Sequence, residues 1–445
     1  MMQSSHRRLT ISLLLLVTYG VSFQWPAAAR AQVGNIAISD VQIAQLESEI
    51  TKTAPGPTHD YLAGVLAARQ GRDEAAIRLF TLALPSLRGT EPDQAALALR
   101  LLADVYDRDG LYSLSSPLYA ELEHFRLVNK LPETYRQGAH DDAELARILA
   151  GSPAQTLTRQ GAVRLKTSRK NPMGLITTRL TINGVSSDWI LDTGANQSVI
   201  SQSLAAQLHL PILPGVAHTS GGITGIENEL HVALLPNLPL GEATVHNVVL
   251  LVLDDANLTI PDGKGHSYRI AGIIGFPVLR ALGRITFHHD GTFDATAGGG
   301  RATDGSPLEL RLFNPVIEAT VEQEPLLFTL DTGAAGTTLS VRFFDRFNAE
   351  KPTWKKSGTK SFNAGGSTTS HTYLIPSLVL GVGGRKVSLH NLPVFPSLQH
   401  ADIDALFGNV GEDLLQSAQS FTVDFPNMRF VMGAPLSASN AIGKH

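Results

Sequence analysis

The pattern of apolar and polar positions divides the chain into a helical part and a longer part made of strands. Between residues 40 and 150, Ala, Leu, Arg and Glu dominate, and the apolar residues recur at helical spacing. From Gly174 onward, short apolar runs alternate with turn residues such as Asn183-Gly184, a pattern that indicates hairpins. The pattern therefore predicts an N-terminal helical domain followed by a mostly β region.

Two segments of the helical part repeat one arrangement of small and apolar residues. They cover residues 61–84 and 94–122, and their turn glycines, Gly71 and Gly110, lie 39 residues apart (110 − 71). This arrangement resembles a tetratricopeptide repeat, whose period is about 34 residues. A third helical segment is expected at 132–149. The resemblance implies a groove for a protein partner, and helical packing without a ligand explains the pattern equally well.

The first residues carry the features of a secretory signal. Residues 1–31 contain a basic start, an apolar run at 9–23 and a small-x-small site that ends at Ala31. The apolar run has about 15 residues, fewer than the roughly 20 that a membrane span requires. We expect export to a bacterial periplasm or secretion, cleavage near Ala31 and no permanent membrane span. A retained N-terminal anchor is the alternative.

A polar stretch separates the helical part from the strands. Residues 151–172 begin with Gly151-Ser152-Pro153 and contain few apolar positions. We predict a linker here, with a strand that leads into the sheet as the alternative.

One three-residue motif, Asp-Thr-Gly, occurs twice, each time directly after an apolar, strand-like run. The two copies are Asp192-Thr193-Gly194 and Asp331-Thr332-Gly333. A glycine after the aspartate lets the backbone turn sharply. Two aspartates brought face to face cannot both ionise, because their like charges repel, and they share one proton. Such a pair can activate a water molecule with one carboxyl and protonate a carbonyl oxygen with the other.

Both copies resemble the active-site signature of aspartic proteases, in particular the bacterial retropepsin-like group and the two-lobed pepsins. The resemblance implies that Asp192 and Asp331 are the catalytic pair. It further implies that the threonines brace the two loops, that the glycines permit the turns, and that no cofactor or metal takes part. The residues given these supporting roles are Thr193, Gly194, Thr332 and Gly333.

Other parts of that signature occur in matching order in both halves. The expected substrate-binding flaps are the glycine-rich stretches at Gly221, Gly222, Gly365 and Gly366. Each lobe is expected to close with an apolar-apolar-Gly strand, at Gly275 and Gly408, which lie 83 (275 − 192) and 77 (408 − 331) residues after the aspartates. The repeated order indicates an internal duplication. It predicts a bilobal β fold with one lobe at 173–298 and a second at 306–435.

Composition excludes several other classes of function. The chain has no Cys, which excludes a cysteine nucleophile and a thiolate metal site. Its net charge of −4 argues against a nucleic-acid partner. The sequence also lacks the Gly-x-Ser-x-Gly and His-Glu-x-x-His motifs. His288-His289-Asp290 places adjacent side chains on opposite faces of a strand, so we expect an exposed hairpin end there.

These features together predict an exported aspartic endopeptidase with a helical domain in front. Its substrate is expected to be an extended peptide or protein, bound in a site that both lobes of one chain build. Two alternatives stay open. The duplicated fold could bind peptides without cutting them, or the site could form between the chains of a homodimer.

Overall fold

The computed structural model describes residues 42–131, 142–219, 228–261, 267–299, 303–347, 353–363, 366–397 and 406–436, together with short strand segments at 11–13, 32–33 and 36–37. Most of the expected signal segment and the start of the expected third helical segment lie outside these ranges. None of the helices within them combines the length and the apolar content that a bilayer span requires.

Helices form the N-terminal part, which confirms the helical prediction at this level. They are α1 (Ile43–Lys52), α2 (Pro57–Arg69), α3 (Asp73–Thr90), α4 (Pro92–Arg108), α5 (Tyr112–Val128) and α6 (residues 142–149). Gly71 and Gly110 end α2 and α4 with φ angles of 64° and 72°, in the left-handed region that favours glycine. Gly64 is required for packing, since a Cβ there would lie 2.8 Å from the Phe80 ring.

The chain from residue 156 onward is mostly β, as predicted. Short strands at β1 (Ile11–Leu13), β2 (Gln32–Val33) and β3 (Ile36–Ala37) precede the helices. The strands up to residue 296 are β4 (Thr156–Arg159), β5 (Val163–Ser168), β6 (Thr177–Ile182), β7 (Val185–Leu191), β8 (Ser198–Ser201), β9 (Ala217–Thr219), β10 (Asn228–Leu240), β11 (Ala243–Leu253), β12 (Thr259–Pro261), β13 (Ser267–Arg269), β14 (Gly272–Ile274), β15 (Arg284–His288) and β16 (Thr292–Thr296). Two short helices lie among them, α7 (Gln202–Gln207) and α8 (Phe276–Ala281).

A second series of strands follows the glycine-rich stretch near residue 298. It comprises β17 (Ser306–Arg311), β18 (Asn314–Val321), β19 (Glu324–Leu330), β20 (Thr338–Leu339), β21 (Lys355–Asn363), β22 (Gly366–Val382), β23 (Arg385–Val394), β24 (Gly408–Val410), β25 (Ser420–Asp424) and β26 (Arg429–Met432). Its short helices are α9 (Val341–Arg346) and α10 (Glu412–Leu415). Strand β1 pairs in parallel with β21.

Residues 151–172 are not the predicted linker, because they contain two paired strands. Strand β4 pairs with β11, and β5 pairs with both β16 and β6. Along β5 the side chains alternate, with Val163 fully buried and its neighbours more exposed. The sequence of this stretch is mostly polar because only alternate residues of its strands face the core. The alternative prediction, a strand that leads into the sheet, agrees with these pairings.

One antiparallel sheet joins strands from the two parts of the β region. Its strand order is β5-β16-β15-β25-β26-β17. At the central pair, the rings of Phe287 and Phe421 stack with their centroids 4.7 Å apart. Arg284 also donates to Asp424 across this pair, at 3.2 Å. The two parts of the β region are therefore fixed to each other by backbone pairing as well as by packing.

The helical part packs against the β region through charged and apolar contacts. Arg280 of α8 lies between Asp73 and Asp109 of the helical part, and its Nη1 is 3.0 Å from Asp109 Oδ1. Arg108 also pairs with Asp73. Nearby, Tyr112, Leu145 and Leu149 join the same buried cluster as Ala195 and Val199 of the β region. The helices therefore form one wall of the core next to the first Asp-Thr-Gly motif.

Arg280→Ala tests how much this contact stabilises the fold. Removing Arg280 takes this cation away from Asp109 and leaves Asp73 with Arg108, so we expect the free energy of unfolding to decrease by about 2 kcal/mol. Urea denaturation of both proteins measures the change. The control is Arg179→Ala, because the Arg179–Asp188 pair is more than half exposed on both sides and should contribute less than about 1 kcal/mol. Equal effects of the two substitutions would contradict the expectation.

Candidate active site

The two aspartates stand at the ends of equivalent strands. Asp192 follows β7 and Asp331 follows β19, and each of these strands is paired in parallel with a short strand, β14 or β24. The backbone N–H of Asp192 donates to the Ile274 carbonyl at 2.9 Å, and that of Asp331 donates to the Val410 carbonyl at 3.0 Å. The same backbone contact therefore places each carboxyl at the end of its strand.

Backbone N–H groups of each loop hold the carboxyls in place. Asp192 Oδ1 accepts from the N–H groups of Gly194 and Ala195, at 2.8 and 3.1 Å. Asp331 Oδ1 accepts from the N–H of Gly333 at 2.8 Å. One oxygen of each carboxyl is thereby bound by N–H groups of its own loop.

The two threonines join the loops by a reciprocal exchange of hydrogen bonds. Thr193 Oγ1 donates to the Leu330 carbonyl at 2.7 Å and accepts from the N–H of Thr332 at 3.1 Å. Thr332 Oγ1 donates to the Leu191 carbonyl at 2.7 Å and accepts from the N–H of Thr193 at 3.0 Å. Each hydroxyl thus uses its donor and an acceptor position across the junction, which fixes both loops in one arrangement.

The two glycines are required for close approach of the loops. A Cβ at Gly194 would lie 2.6 Å from Asp331 Cγ, and one at Gly333 would lie 2.3 Å from Asp192 Cγ. Neither glycine has a φ angle in the left-handed region. Both glycines lie in turns, and the close approach gives them a second role, since each makes room for the carboxyl of the opposite loop.

Burial has the largest effect on the pKa of both carboxyls. Both carboxyls are fully buried, and burial raises the pKa of both. The adjacent charge of Asp331 raises the pKa of Asp192 further, to well above its ordinary range. The pKa of Asp331 rises less, to about 6, because Asn409 Nδ2 donates to Asp331 Oδ2 at 3.1 Å and opposes the effect of burial. The pair can therefore carry one proton near neutral pH.

The part of the chain that contains the first of these loops is similar to a known family. Residues 178–278 match the aspartyl protease family. The match begins at the second residue of β6, continues through β14 and includes the first three residues of α8. It supports a protease-type β fold in this region. No curated protein sequence matches the chain.

Several solved structures share a likeness with the chain at low identity. Basic 7S globulin from soybean is 12% identical, with 63% of this chain and 97% of that chain covered and a TM-score of 0.38. Conglutin gamma from lupine seeds is 11% identical, with coverages of 64% and 97% and a TM-score of 0.37. A retropepsin-like aspartic protease from Rickettsia conorii is 15% identical, with coverages of 32% and 90% and a TM-score of 0.21.

The closing glycine of the second half is Gly411 and not the predicted Gly408. The N–H of Gly275 donates to Ser198 Oγ at 3.0 Å, and the N–H of Gly411 donates to Thr337 Oγ1 at 3.2 Å. The spacings from aspartate to glycine become 83 (275 − 192) and 80 (411 − 331). The sequence pattern missed Gly411 because the polar Asn409 interrupts the apolar-apolar-Gly signal there.

The predicted flaps lie only partly within the described residues. Gly221, Gly222 and Gly365 fall outside them, while Gly366 is the first residue of β22. The hairpin arms themselves are present, since β9 pairs with β10 and β21 pairs with β22. These arms follow the two loops in matching order, which is the position that the resemblance implies for flaps.

Ionisable side chains at two other places in the β region have protein partners of their own. His288 Nε2 lies 3.0 Å from Asp294 Oδ2 at the end of the β15–β16 hairpin. Asp255 accepts from the N–H of Ser203 and from Arg269. Within the described ranges, no group of three or more His, Asp or Glu residues is arranged to hold a metal ion.

Thr332→Val tests the reciprocal threonine bonds. The substitution keeps the shape of the side chain but leaves the Thr193 N–H and the Leu191 carbonyl buried without this partner, so the free energy of unfolding should decrease by about 2 kcal/mol or more. Chemical denaturation measures the loss. Thr181→Val, at the exposed Thr181–Ser186 contact, is the control and should change stability by less than about 0.5 kcal/mol. A loss no larger than in the control would contradict the role of the bonds.

Asp192→Asn tests the charge state of the pair through stability. A carboxyl with a raised pKa binds its proton more tightly in the folded state, so its contribution to stability is lost as pH rises from about 4 through the folded pKa. The variant lacks this ionisation. Its stability relative to the original protein should therefore increase steadily between about pH 4 and pH 8, as measured by urea denaturation at each pH. A constant difference over that range would contradict the raised pKa.

Proposed function

We propose that the protein is an aspartic endopeptidase whose catalytic pair, Asp192 and Asp331, belongs to one chain. The observation that carries this proposal is the reciprocal threonine exchange, which holds both carboxyls against each other in a buried position. Two carboxyls that share a proton can act as acid and base on one substrate bond. Residues Thr193, Gly194, Thr332 and Gly333 support the pair without touching substrate.

The substrate is an extended peptide segment of a protein. The arms β9–β10 and β21–β22 follow the catalytic loops and carry the predicted flaps, which would close over the segment and exclude water. Main-chain hydrogen bonds to such arms hold an extended peptide with little demand on its sequence. The peptide-binding alternative uses the same surfaces, and the buried carboxyl pair favours hydrolysis over binding alone.

We further propose that the β region consists of two retropepsin-like lobes that arose by duplication. The repeated hydrogen-bond set supports this, since strand end, threonine, closing glycine and following helix recur in the same order. A contact of this kind within one chain also argues against a site formed between two chains. The helical part is proposed as a tetratricopeptide-like module for a protein partner, and the N-terminal features as an export signal for the periplasm or exterior.

Substitution of either aspartate tests the proposed activity. Asp192→Asn and Asp331→Asn should each reduce kcat/KM by on the order of 10⁴-fold, because one carboxyl cannot serve as both acid and base. The assay incubates the protein with a diverse peptide pool from about pH 3 to pH 8 and identifies fragments by mass spectrometry. A statine-type transition-state mimic should block the reaction. Asp188→Asn, an exposed position on the same strand β7, is the matched control and should keep full activity.

Three other outcomes separate the alternatives. Turnover that survives both substitutions would remove the carboxyl pair from the mechanism. Peptides that bind the unaltered protein but remain uncut at every pH would favour the binding function. Recovery of activity on mixing the two single variants would show a site between chains, whereas pairing within one chain predicts no recovery.

A further inference from the structure

The two halves of the site differ at one buried position next to the carboxyls. Ile273 in β14 and Asn409 in β24 occupy equivalent registers, opposite Ile190 of β7 and Thr329 of β19. Ile273 and Asn409 are both completely buried. An apolar pair in the first half is thus replaced by a polar pair in the second, and a buried polar pair needs hydrogen-bond partners to be tolerated.

The polar pair provides a hydrogen bond to one of the two carboxyls, that of Asp331. Asn409 Nδ2 donates to Asp331 Oδ2 at 3.1 Å, and Thr329 Oγ1 donates to Asn409 Oδ1. The threonine occupies the carbonyl end of the amide, which leaves the amide N–H₂ turned toward Asp331. Asp331 therefore receives a backbone donor on Oδ1 and a side-chain donor on Oδ2.

Asp192 has donors on one oxygen only. Its Oδ1 accepts the N–H groups of Gly194 and Ala195, while its Oδ2 is buried and receives no donor from the described part of the chain. Ile273 offers no hydrogen bond at the position where Asn409 serves Asp331. A carboxylate with donors on both oxygens is stabilised as an anion, and one with a bare buried oxygen is more stable when that oxygen is protonated.

We infer that Asn409 and Thr329 are positioning residues that keep the single negative charge of the pair on Asp331 and the shared proton on Asp192. This inference rests on the proposed function. It assigns the roles of general acid and general base, which the presence of two carboxyls does not decide by itself. Asp331 becomes the general base and Asp192 the general acid for attack on the substrate.

The assignment gives a balanced sequence of bond changes. Asp331 takes a proton from water as the water oxygen bonds to the scissile carbonyl carbon, and Asp192 gives its proton to the carbonyl oxygen, which yields a neutral gem-diol. Asp331 then passes its proton to the amide nitrogen as the C–N bond breaks. One hydroxyl of the diol returns a proton to Asp192 as the product carboxyl forms. Both carboxyls end in their starting protonation states.

Other ionisable groups near the pair have separate partners. Glu412 and Asp413 follow Gly411 in the chain, and Glu412 pairs with Arg169 while Asp413 accepts from Thr337. The charge of Asp331 faces Asp192, and Asp331 in turn interacts with the Asp192 side chain through a hydrogen bond. A change at Asn409 therefore acts on the pair itself.

Asn409→Leu removes the donor while keeping the size of the side chain. Loss of a hydrogen bond to an anion should raise the lower apparent pKa in the pH profile of kcat/KM by about one to two pH units. Thr329→Val should raise the same apparent pKa by a smaller amount. Ile273→Leu is the control, because it alters packing at the equivalent position without changing a polar contact. Its lower apparent pKa should stay the same.

A second measurement keeps the inference separate from the proposed activity. Carbon NMR of protein labelled at the Asp carboxyls follows the titration of Asp331, whose signal is assigned by its loss in Asp331→Asn. The midpoint should rise by about one to two pH units in Asn409→Leu and stay constant in Ile273→Leu. If the unaltered protein cuts no peptide, the proposed function fails while this titration still decides the inference.

An unchanged Asp331 midpoint in a folded Asn409→Leu variant would overturn the inference and leave the proposed function intact. A shift of the Asp192 signal in place of the Asp331 signal would overturn it as well, because the charge would then lie on the other carboxyl. If Asn409→Leu does not fold, Thr329→Val carries the same test with the same expected direction.

Discussion

The contact on which the site depends is the exchange of hydrogen bonds between Thr193 and Thr332. The two loops are far apart in the chain, and each contains a buried carboxyl. They can stay together only if the polar groups at their junction have hydrogen-bond partners. The threonines satisfy four backbone groups at once, on both sides of the contact. The rest of the β region, including the sheet that joins β15 to β25, holds the strands at the positions this exchange requires.

The two halves of the site share one arrangement of strands and loops but differ at a buried position, and both facts have physical consequences. The repeated strand ends and closing glycines supply a nearly symmetric frame, in which two equal carboxyls would share their proton without preference. The polar side chain of Asn409, where the first half has Ile273, removes that equality. A repeated frame can therefore acquire two inequivalent carboxyl positions through very few substitutions.

Sequence patterns predicted the parts of this molecule that depend on local rules. The helical and β regions, the Asn183-Gly184 hairpin and the placement of both aspartates after strands follow from periodicity and turn chemistry. The pattern indicated Gly408 in place of Gly411 because Asn409 is polar, and the hydrogen bond that lets this polar side chain be buried is a tertiary contact with Asp331. The role of Gly194 likewise depends on a carboxyl 137 residues away (331 − 194), which no local pattern reports. The strands within residues 151–172 were obscured by their half-exposed faces.

The contact between the helices and the β region has a consequence for how the chain can be divided. Arg280 has both of its carboxylate partners in the helical part, and Tyr112, Leu145 and Leu149 complete the cluster around Ala195. A β region expressed alone would present an apolar patch to water and a guanidinium group without its counter-ions. Folding of the loop that carries Asp192 is thus thermodynamically coupled to the packing of the helices, and a β region cut away from them would be less stable than the same region in the full chain.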